Sequence, residues 1–234
     1  MKKQKHQNFY YDDEEELVNI FEIKTGSIAE KMLYRSGIPF YRSGIPLRKD
    51  KEANPISTMV KEIGINCVIN LENNCSNIDK LSENIPWYNN HVKKNKVICL
   101  PMSFIIPGDY SNEQKLKTAL NFMIGNNGPY LIHCYMGVDR TGFFIAILEA
   151  LMGASLKDIC FNYTHAFPFD YIEPHLRDFI NVHNLFTQFK TMFHGNKITN
   201  RNIQKATESY LVKIGFNSEK IELLRKRLSD GTIY

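Results

Sequence analysis

Apolar positions along the chain change period several times, and the changes predict alternating helices and strands. Ile56, Met59, Val60 and Ile63 recur at helical spacing within residues 54–64, and Gly64 is the stop. Ile65-Asn66-Cys67-Val68-Ile69 then reads as a strand. After a polar loop from Asn73 to Asn77, Lys96 to Leu100 reads as another, and Pro101 to Tyr110 as a loop. Ser111 with Gln114 three residues on is a capping-box start for a helix that carries Leu116, Leu120 and Met123 and stops near Gly125. Tyr130-Leu131-Ile132 is a buried strand, and Arg140 to Met152 is a strongly apolar helix closed by Gly153. Three or four more helical patterns follow, up to Lys226. Upstream, residues 17–35 hold two short apolar runs around Thr25-Gly26, the pattern of a hairpin. Strands alternating with helices predict an α/β layered fold. The chain divides into a polar arm, residues 1–16, and one domain, residues 17–234, with a helical C-terminal segment.

A local duplication breaks this pattern. Tyr34-Arg35-Ser36-Gly37-Ile38-Pro39 recurs as Tyr41-Arg42-Ser43-Gly44-Ile45-Pro46. Two copies are too few for a solenoid and read as a duplicated surface loop.

Composition narrows the class. Of 234 residues, 43% are hydrophobic and 23% charged, close to soluble globular averages and unlike a disordered chain, a collagen or a coiled coil. Lys plus Arg is 29 against 25 for Asp plus Glu, a net charge of +4. That suits an anionic substrate but lacks the clustered basic faces of a nucleic-acid binder. The five cysteines (Cys67, Cys75, Cys99, Cys134 and Cys160) form no CxxC pair, so neither a disulfide framework nor a zinc site is expected, and a reducing compartment fits. Residues 1–11 are basic and polar with no apolar stretch behind them, and no apolar run approaches the roughly 18 residues of a membrane span. The expectation is a cytoplasmic protein, with secretion left open. The histidines show no paired ligand spacing, and no metal or other cofactor is implied.

The chemistry lies in Leu131-Ile-His-Cys-Tyr-Met-Gly-Val-Asp-Arg-Thr-Gly142. A strand ending at His133 places Cys134 at the C-terminal edge of the sheet, where α/β folds bind ligands. Gly137 permits unusual backbone angles, so successive N–H groups of residues 135–140 can converge into an anion nest. The helix beginning near Arg140 aims its positive end at the same point. Both effects favour a thiolate at Cys134. Arg140 adds a planar, permanently charged fork for two phosphate oxygens.

His133-Cys134-x-x-Gly137-x-x-Arg140-Thr141-Gly142 resembles the signature of the cysteine-dependent protein tyrosine phosphatase superfamily, His-Cys-x5-Arg-Ser/Thr. Leu33 to Ser36, Ile63 to Leu71, Leu151 to Tyr163 and Tyr210 to Leu228 look like further elements of its bacterial tyrosine or dual-specificity branch. The resemblance implies a protein tyrosine phosphatase-like fold, a central mostly parallel sheet flanked by helices. It also implies hydrolysis of phosphate monoesters through a cysteinyl-phosphate intermediate. On that reading Cys134 is the nucleophile. Arg140 and the backbone of Tyr135, Met136, Gly137, Val138 and Asp139 hold the phosphate oxygens. Thr141 assists the departing sulfur, and His133 orders the loop.

Two carboxylates compete for the general acid. An aspartate at the position of Asp139 resembles the branch holding secreted mycobacterial and listerial phosphatases and the myotubularins, where it is proposed as the acid. Asp109 lies in the loop where most relatives keep a mobile acid; its structural alternative is a turn or cap residue. The implied substrate is phosphotyrosine, with dual specificity open and phosphoinositides or inositol phosphates as the alternative. Arg140 is the loop's one cation, and Val138 stands where several lipid-active members carry Lys, which weakens that alternative. Lys93, Lys94 and Lys96 read as a solvated cluster. A non-catalytic phosphate-binding module is a further alternative. The C-terminal stretch Ser218 to Leu228 is basic and amphipathic; packing onto the domain is expected over lying on a membrane.

Overall fold

A computed structural model describes residues 20–39, 55–83, 85–103, 109–166 and 184–230, and the side chains of 55–58 are outside that description. The polar arm, the second copy of the hexapeptide and residues 104–108 of the Pro101–Tyr110 loop lie outside the described residues. In chain order the elements are β1 (Phe21–Ile23), β2 (Leu33–Ser36), α1 (Pro55–Ile63), β3 (Cys67–Asn70), α2 (Cys75–Ser82), α3 (Pro86–Lys93), β4 (Val97–Cys99), α4 (Tyr110–Gly125), β5 (Tyr130–His133), α5 (Asp139–Leu151) and α6 (Leu156–Thr164). The helical residues 184–192 (α7), α8 (Ile203–Lys213) and α9 (Ser218–Asp230) follow.

The five strands form one mixed sheet in the order β1-β2-β5-β3-β4. β1 and β2 are the antiparallel pair expected around Thr25-Gly26, and β2, β5, β3 and β4 run parallel. β5 is central, with Ser36 of β2 and Asn70 of β3 both level with His133. Three strand ends therefore meet at one edge, just before Cys134.

Alternate strand residues face opposite layers. Leu33, Cys67, Ile69, Tyr130 and Ile132 enter the larger core. Tyr34, Val68 and Leu131 enter the smaller one, with Val60, Ile78, Trp87 and Tyr88 of α1 to α3. The larger core draws on α4 to α9. α5 lies at its centre, and its residues from Thr141 to Leu151 are all buried. A helix apolar on every side has no face to offer water, so it is enclosed. α9 packs along α4. Its Ile221, Leu224 and Leu228 are buried in the same core, and the Leu228 carbonyl accepts from the Ala29 N–H at 2.9 Å. The apolar stripe of the basic C-terminal helix is spent on the domain. Among the described residues, no helix is long and apolar enough to cross a membrane.

Three expectations need correction. The polar segment beginning at Asn73 is not a loop through Asn77: α2 starts at Cys75, and α3 follows it. Their apolar positions are few, so periodicity does not flag them, although Pro86 at the first helical position is a start signal. The cap of α4 is Asp109 rather than Ser111, since the Asp109 carboxylate accepts from the Ser111 N–H at 2.9 Å. The first hexapeptide copy is not a surface loop. Leu33 to Ser36 is an entirely buried inner strand.

Candidate functional site

Cys134 follows β5 directly and is buried. The chain then turns through Tyr135 to Val138 and enters α5 at Asp139. The turn requires glycine at 137, where φ is +70°. A Cβ there would stand 2.6 Å from the Gly37 nitrogen, with the Ser36 carbonyl closer still. No L side chain fits this left-handed, backbone-packed position.

Arg35 holds the turn in shape. It is wholly buried, and its Nη2 donates to the Gly137 carbonyl at 2.5 Å and the Val138 carbonyl at 3.1 Å. Its Nε also donates to the Gly137 carbonyl, at 3.2 Å, and its Nη1 donates to the Asn162 carbonyl at 3.0 Å. In a trans peptide the N–H points opposite to the C=O. Drawing the carbonyls of 137 and 138 toward Arg35 therefore turns the N–H groups of Val138 and Asp139 the other way. The Tyr135 carbonyl, which accepts from the Ile38 N–H at 3.0 Å, does the same for Met136. The outcome is a loop whose amides can converge on an anion.

Burial pushes the Arg35 guanidinium down to about 10, against the opposing influence of Glu149, Cys134, Tyr163 and Asp139. It remains a cation at neutral pH. Glu149 is buried and pushed up to about 7 by desolvation. It accepts from the Thr25 hydroxyl at 2.6 Å and from the Asn162 side-chain amide.

The other wall is a polar chain from β3 to β5. Asn70 Nδ2 donates to the Tyr88 hydroxyl at 3.1 Å, and that hydroxyl lies 3.0 Å from His133 Nε2. The Tyr88 hydroxyl thus joins the Asn70 amide to the His133 ring. Burial pushes the imidazole down to about 3, despite a hydrogen bond to the Cys134 backbone, so it is neutral. Asn70 Oδ1 also accepts from the N–H groups of Glu72 and Asn73 at 2.8 and 3.0 Å. This fixes the bend that carries Glu72 to the turn. Glu72 Oε2 accepts from the Tyr135 N–H at 3.1 Å and pairs with the Arg140 guanidinium. Arg140 Nη1 donates to the carbonyls of Leu71 and Met102, both at 3.3 Å.

The structure thus brings Cys134, Tyr135, Met136, Gly137, Val138, Asp139, Arg140 and Thr141 together at one sheet edge. Asp139 is the first residue of α5, and burial raises its carboxyl above the ordinary value against the opposing pull of Arg140 and Arg35. Thr141 is fully buried in the first turn, and its hydroxyl has no hydrogen-bond partner among the described residues. Asp109 caps α4, and its second oxygen accepts from Asn112 Nδ2 at 3.0 Å. Val138 is fully buried, so its side chain adds nothing to the mouth, whereas Tyr135 is exposed. Lys93, Lys94 and Lys96 precede β4, at the opposite sheet edge from Cys134, and Lys96 donates to Asn126 Oδ1 at 2.9 Å. Among the described residues no cluster of His, Cys, Asp or Glu is arranged to hold a metal ion.

Sequence reasoning missed Arg35, Asn70, Glu72 and Tyr88. Arg35 had a signal, a charged residue inside the duplicated apolar hexapeptide. Glu72 stands one residue beyond the quoted Ile63–Leu71 stretch, with nothing local to mark it.

A thiol thus stands on a glycine turn between a parallel strand and a helix, with an arginine on that helix. The model of the tyrosine phosphatase family matches residues 42–230, and the chain belongs to that family. No curated protein matches it significantly. Among solved structures, TpbA of P. aeruginosa superposes with a TM-score of 0.48 at 14% identity, covering 81% of this chain and 91% of its own. The core catalytic domain of the PP-IP phosphatase SIW14 from S. cerevisiae, in complex with citrate, gives a TM-score of 0.40 at 19% identity, covering 76% and 98%.

Proposed function

We propose that this phosphatase hydrolyses aryl phosphate monoesters, phosphotyrosine first among them, through a cysteinyl-phosphate intermediate. The observation that supports the reading is the Arg35-braced turn, which directs the Val138 and Asp139 N–H groups away from Arg35 and carries Cys134 at one end and Arg140 at the other. Cys134 attacks phosphorus, and the ester oxygen leaves with a proton. Water then attacks the thiophosphate, and the sulfur leaves as thiolate. Arg140 and the amides of residues 135–140 hold the equatorial oxygens. Thr141, with its buried, unengaged hydroxyl, donates to the departing sulfur.

Asp139 is our general acid. Its raised affinity for a proton suits a donor, while both oxygens of Asp109 are engaged in capping α4. Neutral His133 orders the loop and moves no proton in the reaction. One catalytic unit over residues 17–234 and a reducing compartment complete the reading, and the five cysteines are all free thiols.

The test is turnover of para-nitrophenyl phosphate with EDTA present. Cys134→Ser should abolish it. Asp139→Asn should lower kcat by about 10²-fold or more, while Asp109→Asn costs less. The Asp139 loss should be larger on an alkyl phosphate, whose leaving oxygen is more basic. A phosphotyrosyl peptide should be turned over with higher kcat/KM than phosphoseryl peptides or phosphoinositides. Faster phosphoinositide turnover would overturn the substrate and leave the chemistry standing.

A further inference from the structure

The two groups that Glu72 engages are the first and last members of the proposed anion cradle, the Tyr135 amide and the Arg140 guanidinium. Both are donors a phosphate needs. The Glu72 carboxylate has the charge and the paired oxygens to take them, and it sits on the bend fixed by Asn70. Its side chain and that of Arg140 are 25% and 22% exposed, so the pair is mostly withdrawn from water and stronger than a surface ion pair. Arg140 needs no carboxylate to hold its place, since its Nη1 is tied to two backbone carbonyls.

We infer that Glu72 is a built-in competitor of the substrate phosphate, setting affinity by occupying the amide and the guanidinium that the phosphate must take. Binding exchanges one anion for another. Phosphate displaces the carboxylate from Arg140 and from the Tyr135 N–H, and the carboxylate turns to water. The inference rests on the cradle assigned above, and it makes Glu72 a determinant of affinity rather than a catalytic residue. An empty cradle of this kind concentrates positive charge on a buried thiol, and an internal carboxylate neutralises it between turnovers.

Two variants separate this role from simple positioning of Arg140. Glu72→Gln keeps the shape and removes the charge; Glu72→Ala also vacates the space. Inorganic phosphate binding is measured by calorimetry for each, beside para-nitrophenyl phosphate kinetics and a thermal melt. The expected result is phosphate bound about tenfold more tightly by the variants, in the order Ala, then Gln, then wild type, with KM lowered in parallel and kcat changed less than KM. A carboxylate that only positions Arg140 gives the opposite signature, a fall in kcat with weaker phosphate binding, and overturns the inference. Unchanged phosphate affinity overturns it as well. Tighter phosphate binding by the variants, with no turnover by the wild type, sustains Glu72 as competitor and removes the phosphatase chemistry instead. If neither wild type nor variants bind phosphate, both readings fall.

Discussion

At the residue scale, one side chain carries a disproportionate share of the site. Arg35 brings a charge into the interior and offsets the cost with three backbone carbonyls from two elements, together with the face of Phe21, 5.0 Å from the guanidinium. Removing one partner from a buried charged network strands the others. Arg35→Met takes the donor from the Gly137 and Asn162 carbonyls, while the Val138 carbonyl keeps the Gly142 N–H. We expect a loss on the order of 1–3 kcal/mol in denaturant unfolding, since the groups left unpaired are neutral acceptors. Arg35→Lys keeps the charge but not the planar fork, so it cannot meet the three carbonyls together. It should fold with a smaller loss, and its kcat/KM should drop by about 10²-fold because the amides no longer converge. A lysine variant with wild-type kinetics would show that the turn holds its shape without Arg35.

At the element scale, the turn between β5 and α5 was legible because its chemistry is local. The cysteine, the glycine and the arginine lie within seven residues, and the glycine is the residue type its backbone position demands. The walls were not legible. Arg35 arrives from 102 residues upstream of the carbonyl it binds, and Glu72 from 63 residues upstream of its amide. Only the parallel register of β2, β5 and β3 brings them level with the turn, and pairing order has no local signature. The hexapeptide was misread for the same reason: two identical copies look alike in sequence, and burial distinguishes the first by what pairs with it. α2 and α3 were missed because their apolar stripes are narrow. Gly137→Ala probes the turn itself. The left-handed φ costs about 1–3 kcal/mol for a residue with a Cβ, and the collision with the Ser36–Gly37 backbone adds to it. We expect a lowered denaturant midpoint and a fall in kcat of about 10²-fold or more, because the loop must move off Ser36 to admit the methyl group. Gly142→Ala is the comparison. Its Cβ would meet the Tyr163 ring at 2.9 Å and Arg35 Nη2 at 3.1 Å, in a helix that tolerates alanine, so it loads α6 and the Arg35 brace without straining the backbone, and its loss of turnover should be smaller than that of Gly137→Ala.

At the scale of the whole molecule, Glu149 joins parts of the chain that are far apart in sequence. It accepts from Thr25 in the connection between β1 and β2 and from Asn162 on α6, and Asn162 in turn accepts from Arg35. The carboxyl lies deep in the larger core, where burial raises its proton affinity, and the hydrogen bonds and Arg35 only partly offset this. Its pKa in the folded protein is about 7, above the ordinary 4.5. Below pH 4.5 folded and unfolded chains both hold the proton. Between about 4.5 and 7 the folded chain holds a proton that the unfolded chain has released, so stability falls as pH rises. Above that window the full penalty stands, on the order of 3 kcal/mol from a difference of roughly 2.5 pH units. His133 works in the opposite direction, because its neutral form is favoured in the fold and its contribution is lost as pH drops below the ordinary histidine range. A single stability profile therefore mixes the two groups. Subtracting the profile of Glu149→Gln isolates the first. The glutamine can still accept from Thr25, so the difference between variant and wild type should be near its minimum at pH 4.5 and grow in favour of the variant through pH 7. A difference flat across that range would place the Glu149 pKa near its ordinary value and return the pH dependence of the fold to His133 and the surface.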